Sequence, residues 1–193
     1  MKKKFSTSSF LKHRNVFVQP NSGVRVLVIG PNEMTKDVKV AWPGAEIVEV
    51  SPEDFGKAPE VRPIYDHVVL VNVLNRVALH DVGSFLAKAK TALSPKGTVH
   101  IAVPSLEWGA RMVLSENPSP GVLMHIFGIQ AGPETFSLSG WTMRSLRKIL
   151  EELGYRVTLA RRDEYAMVIG QTEAKADQHY VEAILGGYEP PKE

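Results

Sequence analysis

Gly30 and Glu49 stand near the ends of two apolar segments, at a spacing that suits a nucleoside. Gly30 follows the aliphatic run 25–29, and Glu49 lies nineteen residues later in the run 45–50. An acidic side chain at this distance can accept hydrogen bonds from both hydroxyls of a ribose lying across the ends of parallel strands. The pair, with Val50 beside Glu49, predicts a nucleoside-cofactor site, although Glu49 would equally suit the polar end of a strand near a sheet edge.

The turn after Gly30 lacks the further glycines of a phosphate-binding loop. Its residues are Pro31, Asn32, Glu33 and Met34. Asn32 tolerates a left-handed turn, but Pro31 has no N–H to donate and Glu33 puts negative charge at a helix start. The turn therefore disfavours an anionic phosphate, and a cofactor with little negative charge, or no cofactor at all, fits better.

Two further side chains are candidates for handling a substrate. Asn72 ends the apolar segment 66–72, where it would either orient a substrate or cap the following turn. His125 is the best lone candidate for a general base, although a histidine amid apolar neighbours is more often a hydrogen-bonded packing residue. Histidines 67, 80, 100 and 179 show no metal-ligand spacing, so we predict no metal site.

Strand-like and helix-like patterns alternate along the chain, which is typical of a largely parallel sheet with crossover helices. The segments 155–160 and 165–170 flank four charged residues and predict an antiparallel hairpin that finishes the sheet, and residues 173–185 suit a last helix. The other predicted strands are 24–29, 45–50, 66–72 and 97–103, and the other predicted helices are 33–41, 79–93, 105–116 and 140–153.

Composition limits the size and class of the protein. The chain has 193 residues, 44% of them hydrophobic, which suffices for one α/β domain but not for two. It contains no apolar run of membrane-spanning length and no secretory leader, so we expect a cytoplasmic protein with no membrane partner. Without cysteine there is no disulfide or thiolate nucleophile, and a net charge of +2 gives no general attraction to nucleic acid.

The N-terminal segment is locally basic. Residues 1–14 carry five lysines and arginines and one histidine but no acid. The segment is either a solvated tail or an arm that docks on an acidic protein, nucleic acid or a neighbouring subunit, and a homo-oligomer is compatible with the second interpretation. We therefore divide the chain into a basic arm over 1–20, a domain over 21–172, and a C-terminal helix and tail over 173–193.

The order of these segments resembles that of the class I S-adenosylmethionine-dependent methyltransferases over roughly residues 24–171. The segment 65–77 looks like the family's fourth strand, with Asp66 at its usual aspartate. The segment 87–104 looks like the helix, Pro-Gly-type turn and fifth strand, and 138–155 is similar to the helix before the final hairpin. Two further segments, Val103–Leu106 and Ile126–Gln130, resemble the Val-Pro-x-Leu and Ile-Phe-Gly-x-Gln stretches of small predicted methyltransferases of bacteria and phages.

The resemblance implies a Rossmann-like, mostly parallel sheet with helices on both faces and a C-terminal antiparallel hairpin. It implies S-adenosylmethionine as cofactor and methyl transfer to a small molecule, a sugar or a macromolecule. The implied site residues are His125 and Asn72 for chemistry and, for the cofactor, Gly30, Asn32, Glu49, Val50 and Asn72. We expect a cytoplasmic protein or, if the source is a phage, one that is associated with the virion.

The chain also departs from the family's pattern, mainly around the cofactor. Val28 stands where the family usually has an acid, and Ser137 stands where relatives often have a histidine. Only sixteen residues separate Glu49 from Asp66, too few for a full helix and a third strand. The alternative hypothesis is therefore an inactive methyltransferase fold that serves as a binding or assembly module, such as a phage structural protein.

Overall fold

The computed structural model describes residues 23–30, 35–58, 64–115, 120–128, 130, 132, 135–169 and 172–186. The basic arm over 1–20 and the turn residue Asn32 lie outside these ranges. The described elements, in chain order, are β1 (Arg25–Ile29), α1 (Thr35–Ala41), β2 (Glu46–Val50), α2 (Pro52–Lys57), β3 (Tyr65–Val71), a 3-10 turn (Leu74–Arg76), α3 (Val82–Ala92), β4 (Leu93–Pro104), α4 (Leu106–Val113), α5 (Pro120–Phe127), α6 (Met143–Glu152), β5 (Tyr155–Ile169) and β6 (Thr172–Leu185).

The strands form one six-stranded sheet in the order β2-β1-β3-β4-β6-β5. The first four strands pair in parallel, and β6 pairs antiparallel with both β4 and β5. The sheet is therefore mixed, which corrects the prediction of a mostly parallel sheet. Because β1 to β4 run in one direction, their carboxyl ends meet at one edge of the sheet.

The C-terminal part of the chain forms a hairpin, but not the predicted one. The charged residues 161–164 lie within the continuous strand β5 instead of forming a turn, and residues 173–185 belong to β6 instead of a helix. Alternation explains both errors: Arg161 and Asp163 share one face of β5 with Nε and Oδ2 3.0 Å apart, and Val181 and Ala183 of β6 are fully buried on one face. A segment inserted between two strands buries its apolar residues with period two, whatever its helix propensity.

Helices cover both faces of the sheet, as predicted. On one face, α3 and α6 bury Leu86 and Leu150 against strand residues that include Leu27 and Ile101. On the other face, Trp42, directly after α1, packs with a core cluster that includes Val26 and Val28. None of the helices in the described residues is long and apolar enough to cross a membrane.

A chain of buried polar side chains lies on the α1 face of the sheet. His67 Nδ1 is 3.1 Å from His100 Nε2, and His100 Nδ1 is 3.0 Å from the Tyr180 hydroxyl. That hydroxyl donates to Glu182 Oε1 at 2.5 Å, so it accepts from His100 Nδ1. His100 of β4 is fully buried, and its two ring nitrogens connect it to His67 of β3 and to Tyr180 of β6.

Replacing His100 with leucine is expected to destabilise the fold by about 1–3 kcal/mol, because the change removes two hydrogen bonds at a fully buried position. The measurement is the free energy of unfolding from denaturant titration. The control is His80→Leu at an exposed histidine, which should leave stability within about 0.5 kcal/mol of the parent. Equal losses in the two variants would contradict a stabilising role for the buried chain.

Candidate functional site

A cleft with a volume of about 1120 Å³ opens at the carboxyl edge of the parallel strands. Its walls come from the ends of β1 and β2, from α2, from the segment after the 3-10 turn and from α3. The polar lining includes Ser51, Glu53, Asp81 and Ser84, and the apolar lining includes Pro52, Val77, Phe85 and Leu138. The cleft therefore combines a few polar groups with apolar walls, as small-molecule sites generally do.

Of the predicted pair, Gly30 lines this cleft, whereas Glu49 lies on the neighbouring strand β2 outside the lining. The N–H of Gly30 donates to Val50 O at 3.2 Å, which ties the ends of β1 and β2 together. Glu49 lies opposite Val28 in the strand register, with an exposed side chain, while Val50 packs against the core. At the end of β2 the cleft is lined by Ser51 and Glu53, which lie two and four residues after Glu49.

Sequence reasoning missed Ser51, Glu53 and Asp81, although a local signal marks the first of them. Ser51 is the N-cap of α2: its Oγ accepts a hydrogen bond from Asp54 N at 3.0 Å, and Pro52 opens the helix. A serine before proline and two acids is the usual start of a helix. That signal predicts a helix start at the end of β2, which is where the structure forms the cleft.

Asn72 occupies a strained position at the carboxyl end of β3. Its φ of 54° lies in the left-handed region, and its N–H donates to Ala102 O at 2.9 Å. Its Oδ1 is buried and has no hydrogen-bond partner. Asparagine tolerates a positive φ better than most residues, so this geometry suits a turn residue as well as a binding residue, and the role of Asn72 stays a prediction.

His125 lies outside the cleft, in a closed hydrogen-bond network. Its Nε2 is 2.9 Å from Ser105 O and therefore carries the proton, and its Nδ1 accepts from the Tyr165 hydroxyl at 2.8 Å. Burial lowers the pKa of His125 and raises the pKa of Tyr165, so the ring is neutral and the phenol keeps its proton. With 3% exposure and both nitrogens engaged, His125 has the geometry of the packing histidine considered above.

Glu107 links three elements next to His125. Its Oε2 is 2.5 Å from His179 Nε2, and its Oε1 accepts from Met143 N at 3.1 Å. Burial by itself would raise the pKa of Glu107, but the hydrogen bonds from His179 and the backbone outweigh it and lower that pKa. Glu107 thus holds α4, β6 and the start of α6 together beneath the cleft edge.

The connection from β2 to β3 is short. Residues 51–64 contain α2 and, among the residues described, no strand, so β2 forms an edge of the sheet. Lys88 of α3 donates from Nζ to Gly56 O at 2.9 Å and to Ala58 O, and Phe55 packs edge-to-face on Phe85 with ring centroids 5.3 Å apart. These contacts hold α2, a helix that the sequence analysis did not predict, directly against α3.

No cluster of three or more His, Cys, Asp or Glu side chains with metal-binding geometry occurs in the described part of the chain. The candidate site of the described residues is the cleft, whose lining includes Gly30 but neither Glu49 nor Asn72, so the roles of these two residues stay predictions. The predicted cofactor contact Asn32 lies outside the residues described.

The fold is that of known methyltransferases. Mitomycin 7-O-methyltransferase MmcR is 15% identical and superposes with a TM-score of 0.55 over 84% of this chain and 49% of that one. The O-methyltransferase of neocarzinostatin biosynthesis, solved with S-adenosylmethionine and 2-hydroxy-5-methyl naphthoic acid, is 14% identical with a TM-score of 0.52 over 84% and 49% of the two chains. A SAM-dependent methyltransferase from Methanosarcina mazei is 13% identical with a TM-score of 0.51 over 86% and 95%.

These likenesses show a methyltransferase-like α/β fold with a six-stranded mixed sheet and a C-terminal antiparallel hairpin. The chain spans about half the length of the mitomycin and neocarzinostatin enzymes. No protein-family model matches the chain, and neither does any curated protein.

Replacing Asn72 with glycine is expected to leave the stability unchanged or to raise it by up to about 1 kcal/mol, because glycine adopts positive φ freely and brings no buried unpaired oxygen. Asn72→Ala is the matched variant and should be less stable than Asn72→Gly by about 1 kcal/mol, since its Cβ keeps the strain. Denaturant unfolding of the three proteins measures both differences. A loss above 1 kcal/mol in the glycine variant would mean that the Asn72 side chain stabilises the fold.

Replacing Glu107 with glutamine is expected to make the free energy of unfolding depend less on pH in the acidic range. The pKa of Glu107 in the folded state lies below its ordinary 4.5, so the carboxylate contributes stability above pH 4.5, and this contribution is lost as the pH falls through the folded value. The stability difference between the parent and Glu107→Gln should therefore shrink on acidification. Denaturation midpoints at a series of pH values test this, with Glu152→Gln on the exposed face of α6 as control; a difference that does not change with pH would contradict it.

Proposed function

We propose that the protein transfers a methyl group from S-adenosylmethionine to a nucleophile on a small molecule. The observation that carries the proposal is the open cleft at the carboxyl edge of a sheet with methyltransferase strand order, which has Gly30 at its strand end. Ligands of open α/β sheets bind at this edge because loops from several parallel strands converge there.

The residues present fit this cofactor. Its sulfonium is cationic and its amino-acid end is zwitterionic, and the rest of the molecule is uncharged, with ribose hydroxyls and an adenine ring. The acids Glu53 and Asp81 line the cleft together with the cations Arg76 and Lys88, and the exposed Glu49 at the adjoining strand end suits the ribose hydroxyls. The assignments of Gly30, Glu49, Val50 and Asn72 to the cofactor are part of the proposal, and Asn32 remains a prediction from the sequence.

The chemistry asks little of the protein beyond positioning. When bound, the sulfonium supplies an activated methyl group, so the protein must align donor and acceptor and exclude competing water. Asn72 at the carboxyl end of β3 is proposed for the orienting role, although its unpaired Oδ1 is buried outside the cleft lining, so the side chain would have to rotate to reach the acceptor. The acceptor proton then leaves to solvent or to a cleft carboxylate, and we assign no base role to the enclosed His125.

The size of the cleft supports two ligands. Its volume of about 1120 Å³ exceeds the range of roughly 300–1,000 Å³ for a single drug-sized molecule. Leu138 on the rim is 57% exposed, and Val77 and Phe85 line the same cleft. An apolar small molecule therefore fits the remaining space better than a charged macromolecular segment does.

The packing of two aromatic residues favours an enzyme over an inactive scaffold. An inactive fold has no need to keep the cofactor space open, and Trp42 or Phe55 would be suitable fillers. Instead Trp42 packs against His67 and His100 on the opposite side of the sheet, and Phe55 is buried against Phe85. Neither ring lines the cleft, which remains open, as a cofactor requires.

Isothermal titration with S-adenosylmethionine and S-adenosylhomocysteine tests the proposal. We expect micromolar binding that weakens at least tenfold in Glu49→Ala, because the ribose loses its charged acceptor. The matched control is Glu46→Ala, which removes the same charge from the other end of β2, where Glu46 pairs with Arg25. Absence of binding at millimolar ligand would refute the proposed function.

A further inference from the structure

Four large apolar side chains on α5 and on the segment that follows it are exposed to solvent, and we call them the apolar strip. Their exposed fractions lie between 40% and 57%, and they are Leu123, Phe127, Phe136 and Leu138. The first two lie one helical turn apart on α5, so they share one side of that helix. Exposure alternates along residues 136–139, which turns Phe136 and Leu138 outward together.

Backbone contacts bring the two halves of the apolar strip together. Gly128, the residue after α5, pairs antiparallel with Phe136, and Ser137 N donates to Phe127 O at 3.0 Å. Gly128 has a φ of 82°, and a Cβ there would lie 2.1 Å from Thr135 O, so only glycine allows this approach. Phe127 and Phe136 therefore extend from adjacent backbone segments.

Hydrogen bonds anchor the apolar strip at both ends. Leu138 N and Ser139 N donate to Asn75 O at 2.6 and 3.1 Å, which fixes one end on the 3-10 turn. At the other end, His125 of α5 donates to Ser105 O at 2.9 Å. The enclosed histidine thus holds the helix that carries half of the strip. A surface fixed in this way loses little conformational entropy when a ligand binds.

The apolar strip continues the cleft and carries no charge of its own. Leu138 also belongs to the cleft lining, as do the apolar residues Val77 and Phe85. The segments 120–128 and 135–142 contain no Asp, Glu, Lys or Arg. Four half-exposed side chains offer far less area than the roughly 800 Å² that each partner of a stable protein complex buries. These features favour part of a small molecule over a second copy of this chain.

We propose that the apolar strip binds an extended apolar group of the methyl acceptor. The inference rests on the proposed function, with the nucleophile of the acceptor in the cleft beside the methyl donor. An alkyl chain or ring system then leaves the cleft over Leu138 and lies along Phe136 and Phe127, where removal of apolar surface from water supplies affinity. The acceptor class is therefore an elongated molecule with an apolar end, and not a compact polar molecule such as a sugar.

The test measures how the affinity for a phenol depends on the length of its alkyl chain. 4-Ethylphenol and 4-hexylphenol are the probes, and each is titrated calorimetrically into protein saturated with S-adenosylhomocysteine. The parent should bind 4-hexylphenol about tenfold more tightly, because the strip covers one side of its additional methylene groups. Phe127→Ala and Phe136→Ala, at positions outside the cleft lining, should each reduce this gain to about threefold or less. Phe127→Leu keeps a large apolar side chain and should retain most of the gain.

Val40→Ala is the control, because Val40 is 79% exposed on α1 and belongs neither to the strip nor to the cleft lining. It should show the parent's gain, and every variant should bind S-adenosylhomocysteine as the parent does, which also shows that the variants are folded. A parent that binds S-adenosylhomocysteine but shows no gain with chain length would overturn the role of the strip and leave the proposed function intact.

Two further outcomes would also overturn the role of the apolar strip. One is a gain that survives in both alanine variants, because the alkyl chain would then lie elsewhere. The other is a dimer of the parent, detected by sedimentation velocity, that both alanine variants dissociate, because the strip would then bind a second copy of this chain. Failure of the parent to bind S-adenosylhomocysteine at millimolar concentration would overturn both the inference and the proposed function.

Discussion

Parallel pairing of β1 with β2 and β3, and of β3 with β4, is the constraint on which the candidate site depends. The pairing runs in register through fully buried residues such as Val26, Ile29 and Val69. Burial on both faces leaves the backbone groups no partners but the neighbouring strands, so the strand ends cannot shift independently. Gly30, Ser51, Asn72 and the start of α4 therefore come together at one edge, although they are far apart in sequence.

The short connection between β2 and β3 determines the shape of that edge. A full crossover helix and a further strand would place another wall beside β2, but residues 51–64 provide one short helix, α2. Lys88 and Phe85 of α3 hold α2 in place through its terminal carbonyl groups and through Phe55. The space beside β2 consequently joins the cleft, and the acids Glu53 and Asp81 face it.

The polar networks at the end of β4 show why chemically attractive residues need not be reactive. Both nitrogens of His125 are engaged by Ser105 O and Tyr165, and Glu107 contacts Nε2 of His179 and the start of α6, although Nδ1 of His179 has no partner. A buried polar group without a partner costs about 1–3 kcal/mol, so these side chains are retained for the partners they satisfy. Asn72 contrasts with them, because its buried oxygen has no partner and its backbone is strained.

Hydrophobic patterning in the sequence determined the elements whose burial follows a local period. The strands predicted at 24–29, 45–50 and 66–72 appear as β1, β2 and β3 within one residue, and the helix predicted at 140–153 appears as α6 with a capping box at Thr142. The spacing from Gly30 to Glu49 also indicated a nucleoside-cofactor site. The sixteen residues between Glu49 and Asp66 indicated that the sheet has no room for a full helix and a further strand beside that site. Such features depend on neighbouring residues, so they can be read from one chain.

Only the tertiary structure decided the features that depend on distant partners. Residues 172–185 form a strand because they pair with both β4 and β5, and α5 packs against α4. Likewise, the sequence does not show that both ring nitrogens of His125 make hydrogen bonds. Nor does it show that the side chain of Asp81, the residue before α3, leaves that helix uncapped. The sequence alone thus determined the parallel strands and the sheet edge at which a ligand is expected. Long-range pairing decided which side chains face the cleft, because burial and hydrogen bonding are satisfied between segments and not within them.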